Sequence, residues 1–141
     1  MRRRSRAILL APVLLALAAS PATAATPGTS AQSLDIRLIN YGVRPSATST
    51  APGRVSFVVH NADNVPHNLV VLRTDIAPRS LPVTGEHGRA REVGYQGATV
   101  RLRDEETVHL TLTLPAGRYL LICNVPGHYQ RGMVAVLRVR H

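Results

Sequence analysis

A single cysteine, Cys123, stands among 141 residues, and one thiol excludes an intramolecular disulfide. Lysine is missing altogether, so every one of the 17 Lys and Arg positions is an arginine, a bias of composition with no functional meaning attached to it. After the first two dozen residues no long apolar run recurs, which excludes a later membrane-spanning helix. No segment keeps a sustained helical period and no unit repeats, which excludes a helical bundle and a solenoid. No acid–base pair or nucleophilic triad is evident, so substrate turnover is not expected and the chain reads as a non-enzyme.

The N-terminus has the order of an export signal. Met1-Arg2-Arg3-Arg4-Ser5-Arg6 is basic, Ala7 to Ala19 is almost wholly apolar, and Pro21-Ala22-Thr23-Ala24 ends on a small-x-small pattern. The apolar stretch is shorter than the roughly 20 residues that a membrane anchor needs. Residues 1–24 are therefore read as a signal peptide, residues 25–33 as a flexible lead-in, and residues 34–141 as one domain. The expected location is periplasmic or extracellular. Outside the cytosol a lone thiol is buried, paired with another chain, or committed to chemistry such as metal binding.

Removal of residues 1–24 leaves 117, enough for one core, and lowers the formal charge from +9 to +5 because Arg2, Arg3, Arg4 and Arg6 depart. The remaining arginines alternate with acids, as in Arg101-Leu102-Arg103-Asp104-Glu105-Glu106, which argues for a solvated surface and against a nucleic-acid partner. A mildly basic surface suits an acidic redox partner or an anionic membrane surface.

Alternation at period two dominates the rest. Leu34, Ile36 and Leu38 share one face, as do Val55, Phe57 and Val59, and then Val108, Leu110, Leu112 and Leu114. Turns are signalled at 61–66 and at Pro115-Ala116-Gly117, with strands expected to restart at His67 and Arg118 and to close the chain over 132–140. Residues 74–97, broken by Pro78, Pro82, Gly85, Gly88, Gly94 and Gly97, read as a surface loop excursion. Some seven strands without a confident long helix predict an all-β, antiparallel Greek-key β-sandwich.

One stretch carries chemistry. From Cys123 through His128 to Met133 a thiolate, an imidazole and a thioether recur at intervals of five residues, so one strand end and one loop can deliver three donors to a point. His67, at the strand restart in Val65-Pro66-His67-Asn68, is the fourth candidate. Thiolate and thioether suit Cu(I), imidazole serves either oxidation state, and two His with one Cys and a weak axial Met is the blue-copper set. Zinc is chemically possible with the same donors, but the thioether argues for copper. The other histidines, His60, His87, His109 and His141, read as ordinary solvated residues.

These residues make the chain resemble the cupredoxins, the small blue-copper family that includes azurin, plastocyanin and auracyanin. The resemblance runs from about Leu34 to the C-terminus and rests on His67 followed by Asn68, on Cys123-x-x-Pro126-Gly127-His128, and on Met133. It implies one type 1 copper ion held by His67, Cys123, His128 and Met133. It also implies a single-electron carrier that meets redox partners transiently, as a monomer, through an apolar patch around His128 formed by Val125, Pro126 and Tyr129. Around the ligands, Asn68 is expected to tie the two segments together near Asn124, Pro126 to stiffen the loop and remove an N–H near the sulfur, and Gly127 to allow the tight approach before His128. Copper delivery or storage, and a non-redox interaction module, are the rival functions.

Overall fold

A computed structural model describes residues 30–141; the expected signal segment, and the lead-in up to residue 29, lie outside the described residues. Nine strands are present among the described residues: β1 Gln32–Ile39, β2 Gly42–Pro45, β3 Ser49–Thr50, β4 Gly53–Asn61, β5 Val70–Arg73, β6 Tyr95–Ala98, β7 Thr107–Leu114, β8 Gly117–Ile122 and β9 Val134–Val139. They form two sheets, ordered β2-β1-β4-β7 and β3-β9-β8-β5-β6. The fold is the all-β sandwich that the alternation predicts. Its sheets are not purely antiparallel, however: β1 runs parallel to β4 and β3 parallel to β9. β1 also begins at Gln32, two residues inside the expected lead-in.

The inward rows explain the sandwich. Leu34, Ile36 and Leu38 of β1 and Val55, Phe57 and Val59 of β4 meet Val71, Tyr119, Leu121 and Leu137 from the facing sheet, and Cys123 just past β8, in one core. The alternation of β1, β4 and β7 leaves their other faces mostly polar, with Ile39 and Val58 as exceptions, as suits a sheet with one wet side. β5 and β8 instead carry unbroken runs, Val70-Val71-Leu72 and Leu120-Leu121-Ile122, all buried. A strand apolar on both sides needs cover on both sides, and the excursion and the loop after β8 supply it. Leu81, Ala90 and Tyr129 pack over Val70, Leu72, Leu120 and Ile122 as a second core.

The excursion is therefore more than a surface loop. It contains the start of β6, which pairs with β5 although Tyr95-Gln96-Gly97-Ala98 shows no apolar row. Gly97 is required there by close approach: a Cβ would lie 2.7 Å from Leu112 of β7, where the two sheets come together at their edge. Tyr129 fixes the far side, its hydroxyl accepting from the Leu81 N–H at 2.9 Å and donating to the Pro78 carbonyl at 2.8 Å.

Tyr119 closes the β7–β8 turn from inside the core, its hydroxyl donating to the Pro115 carbonyl at 2.6 Å. Burial raises the phenol's pKa above its usual 10.0, against the opposing charge of Arg73. A raised folded pKa means that this group's contribution is fully present below pH 10 and is lost as pH climbs through the folded value. Tyr119→Phe is expected to cost about 1 kcal/mol at pH 7 by orphaning the bond. It should also flatten the loss of stability at alkaline pH, as denaturant melts at pH 7 and above pH 10 would record.

Candidate metal centre

The site forms where a strand end, a loop and a turn meet. β8 ends at Ile122, and Cys123 begins the crossing to β9. The Cys123 N–H donates to the Met133 carbonyl at 3.1 Å, and the Met133 N–H donates to the His128 carbonyl at 3.2 Å. These bonds pinch the eleven-residue segment shut at its base, so that its three spaced donors return to one end of the sandwich. Inside it the His128 N–H donates to the Val125 carbonyl at 3.0 Å, and the Gly127 N–H to the Gly88 carbonyl at 3.1 Å. Gly127 has φ of 80°, while a Cβ there would meet only His87 at 3.9 Å; backbone conformation, not crowding, requires glycine at this turn.

His67 arrives from the other side. Its N–H and C=O pair with Leu102 at 3.2 and 2.7 Å, an isolated bridge that precedes β5 rather than opening it. The turn before it is held by Asn61, fully buried, whose side-chain amide donates to the carbonyls of Val65, Leu102 and Arg103. Nothing in the 61–66 turn signal singles out its first residue as the one that organises it.

Three donor atoms converge. His67 Nδ1 and His128 Nδ1 are 3.1 Å apart, and each is 3.6 Å from Cys123 Sγ. A point about 2 Å from all three lies at the centre of that triangle, within the usual range for bonds from imidazole to a metal of this kind. His67 and Cys123 are fully buried and His128 is half-buried. Two imidazole nitrogens and a sulfur face one another at these separations, and a soft cation at the centre would take a lone pair from each. No second group of metal-ligating His, Cys, Asp and Glu occurs among the described residues.

Met133 is fully buried at the foot of the loop. Asn68 spans the two segments: its side-chain oxygen accepts the Asn124 N–H at 2.9 Å and lies 3.6 Å from Cys123 Sγ, while its N–H points at the sulfur at 3.5 Å. The Asn124 side chain turns away from the sulfur. It pairs with both backbone groups of Ala90, accepting at 2.8 Å and donating at 3.0 Å, and donates to Glu92 at 2.8 Å, tying the excursion to the site. Pro126 is exposed on the loop. Tyr129, expected beside His128, is instead buried in the second core. The aromatic neighbour of His128 is Tyr41, edge-on with centroids 6.5 Å apart and its ring under the Arg131 guanidinium at 5.2 Å. Tyr41 lies in the β1–β2 turn at φ of 54°, and only the fold brings it across.

Electrostatics favour metal over proton at His128. Burial, then the neighbouring His67, Arg131 and Arg101, hold its pKa below the usual imidazole value, with Asp63 opposing. Burial pushes the Cys123 thiol up; N–H groups of Asn68 and Val125 and the charge of Arg101 pull the other way without overcoming it. A bound cation reverses that balance, because a coordinating thiol is deprotonated outright.

The two-sheet sandwich with this donor cluster at one end defines a cupredoxin, with one type 1 copper site. The chain belongs to the sulfocyanin (SoxE) family, whose domain model matches residues 7–141, beginning well upstream of Leu34. It is similar in structure to auracyanin B, at 24% identity and a TM-score of 0.61, with 82% of this chain and 94% of that one covered. Dithionite-reduced auracyanin from Roseiflexus castenholzii is 18% identical with a TM-score of 0.59, covering 79% and 99% of the two chains. Rusticyanin is 15% identical with a TM-score of 0.56, covering 79% and 80%. Among curated proteins no match is found.

Proposed function

We propose that this chain is an exported electron carrier, with His67, Cys123 and His128 as trigonal ligands and Met133 as the weak axial ligand of its copper. The observation that carries the reading is the donor triangle of 3.1, 3.6 and 3.6 Å at the pinched end of the sandwich. Copper supplies a one-electron couple between Cu(II) and Cu(I). The protein's part is rigidity. The His67–Leu102 bridge, the Cys123–Met133 closure and the Asn68–Asn124 tie hold the donors in one arrangement for both oxidation states, so little reorganises when an electron moves.

His128 is the electron port in this reading, since His67, Cys123 and Met133 are all fully buried while its ring is only half-buried. Tyr41 and Arg131 stand beside it, exposed, and fit brief docking of an acidic partner on a monomer. The same burial disfavours copper delivery, which needs donors that an incoming acceptor can reach. No substrate site is required, and the basic, apolar, small-x-small N-terminus is the ground for export.

Titration of the mature protein with Cu(II) tests the reading. One equivalent should produce an intense thiolate-to-copper charge-transfer band and a narrow copper hyperfine pattern, and the colour should bleach and return through one-electron cycles. Because burial keeps the thiol protonated and His128 neutral, uptake at pH 7 should release about one proton per metal, measurable by calorimetry in two buffers of different ionisation enthalpy. Binding should accordingly weaken as pH falls. A colourless product, or a metal removed readily by a weak competitor, would move the function to delivery or to a non-redox interaction role.

A further inference from the structure

We propose that Asp63 is a positioning residue for the metal centre: its carboxylate fixes the tautomer of His67 and biases the site toward the oxidised metal. The inference rests on the copper reading above and concerns a residue outside the ligand set. Asp63 Oδ2 lies 3.2 Å from His67 Nε2, and the two side chains are 12% and 1% exposed. Its other oxygen accepts the Asn64 N–H at 2.8 Å, which aims the carboxylate. Among the described residues no arginine comes within 4.0 Å of it, so His67 is its only ion-pairing partner there.

The chemistry follows from what each atom can do. An ionised carboxylate only accepts, so Nε2 carries the hydrogen and donates it. Neutral imidazole has one N–H, so Nδ1 is left with its lone pair, and Nδ1 is the atom that faces His128 Nδ1 and Cys123 Sγ. The ring is thus held before any metal arrives, in the tautomer and orientation that coordination needs. A carboxylate behind a ligating histidine also raises the ligand's basicity. Its negative charge acts more strongly on Cu(II) than on Cu(I), while the charges of Arg101 and Arg131 near His128 act the opposite way.

The sequence alone did not reveal this, because Asp63 sits in a run, Asn61-Ala62-Asp63-Asn64, that reads as an ordinary turn. Spacing of four residues from His67 has no helical meaning here; the turn folds the carboxylate back beneath the ring.

The test compares Asp63→Asn, Asp63→Ala and Asp63→Glu with the unaltered protein, in metal-free and copper-loaded forms. Asp63→Asn keeps an acceptor and the shape but removes the charge. It should retain the blue band while lowering the preference for Cu(II) over Cu(I) about tenfold, a rise of about 59 mV in potential. Asp63→Ala should add a 10–100-fold loss of Cu(II) affinity, since orientation is lost as well. Asp63→Glu should recover part of both.

In the metal-free protein, nitrogen-15 NMR of labelled histidine should find the His67 proton on Nε2, far downfield and slow to exchange, and Asp63→Ala should mix the tautomers. A merely structural Asp63 would lower the melting point and leave potential and tautomer unmoved; that outcome overturns the proposal. If Asp63→Ala fails to fold, the isosteric Asp63→Asn still decides through its potential. Should no blue centre form even in the unaltered protein, the electron-carrier reading fails. The tautomer of metal-free His67 then decides the role of Asp63 by itself.

Discussion

Cys123→Ser is expected to abolish the blue centre while leaving the sandwich folded. Serine fits the space of the thiol, and the Cys123 N–H bond to the Met133 carbonyl belongs to the backbone, so the loop closure survives. The hydroxyl offers a hard donor that does not ionise under these conditions, and the charge-transfer band has no origin without sulfur. Stability gives an independent reading. A metal in excess by 1,000-fold over its dissociation constant stabilises the native state by about 4 kcal/mol. For a domain of slightly more than 100 residues each kcal/mol moves the melting temperature by about 4 °C, so copper should raise the melting point of the unaltered protein by roughly 15 °C. In Cys123→Ser most of that rise should vanish, whereas the metal-free melting points should stay close together. A copper-induced rise that persists in the variant would place the metal elsewhere.

The second large effect is expected from Asn124→Asp, one atom changed beside the principal ligand. The amide NH₂ now donates to the Ala90 carbonyl and to Glu92. A carboxylate in its place would face that carbonyl and a second carboxylate from a buried position, an unpaired charge of the kind that costs about 3–5 kcal/mol. The new group would stay protonated to a raised pKa. Its penalty should therefore be small in mild acid and grow as pH rises, the reverse of an ordinary surface aspartate. Denaturant melts between pH 4 and pH 8 would measure it. Because Asn124 points toward the excursion and not the sulfur, the visible band of the folded, copper-loaded fraction should be nearly unchanged. A shifted band with unaltered stability would mean that the side chain acts on the copper site itself.

These two positions show how legibility ended at one peptide bond. Cys123 was readable because donor chemistry and spacing constrain each other: a thiolate, an imidazole and a thioether at five-residue intervals after an apolar strand have few other uses. Asn124, next in line, could be placed near the site only through resemblance. Its actual partners, Ala90 and Glu92, lie over thirty residues upstream in a stretch without periodicity. Tyr41 takes the place beside His128 expected of Tyr129, for a related cause. Sequence adjacency put Tyr129 beside His128, but the loop's tight turn sends consecutive side chains to opposite sides, and Tyr129 goes to the second core.

What the sequence by itself determined is whatever local chemistry encodes. Period-two rows specified β1, β4 and β7, turn residues bounded them, and the donor types specified a soft-metal site of the blue-copper kind. Tertiary structure decided the rest. Parallel pairing of β1 with β4 and of β3 with β9 is a choice among partners that an apolar row does not distinguish, since either direction buries the same face. The cover over β5 and β8, Asn61 beneath the His67 turn and the carboxylate of Asp63 behind the ring all depend on which distant segments meet. Polar side chains carry little information about their partners until the backbone has placed a donor or acceptor within about 3 Å, and that distance exists only in the folded chain.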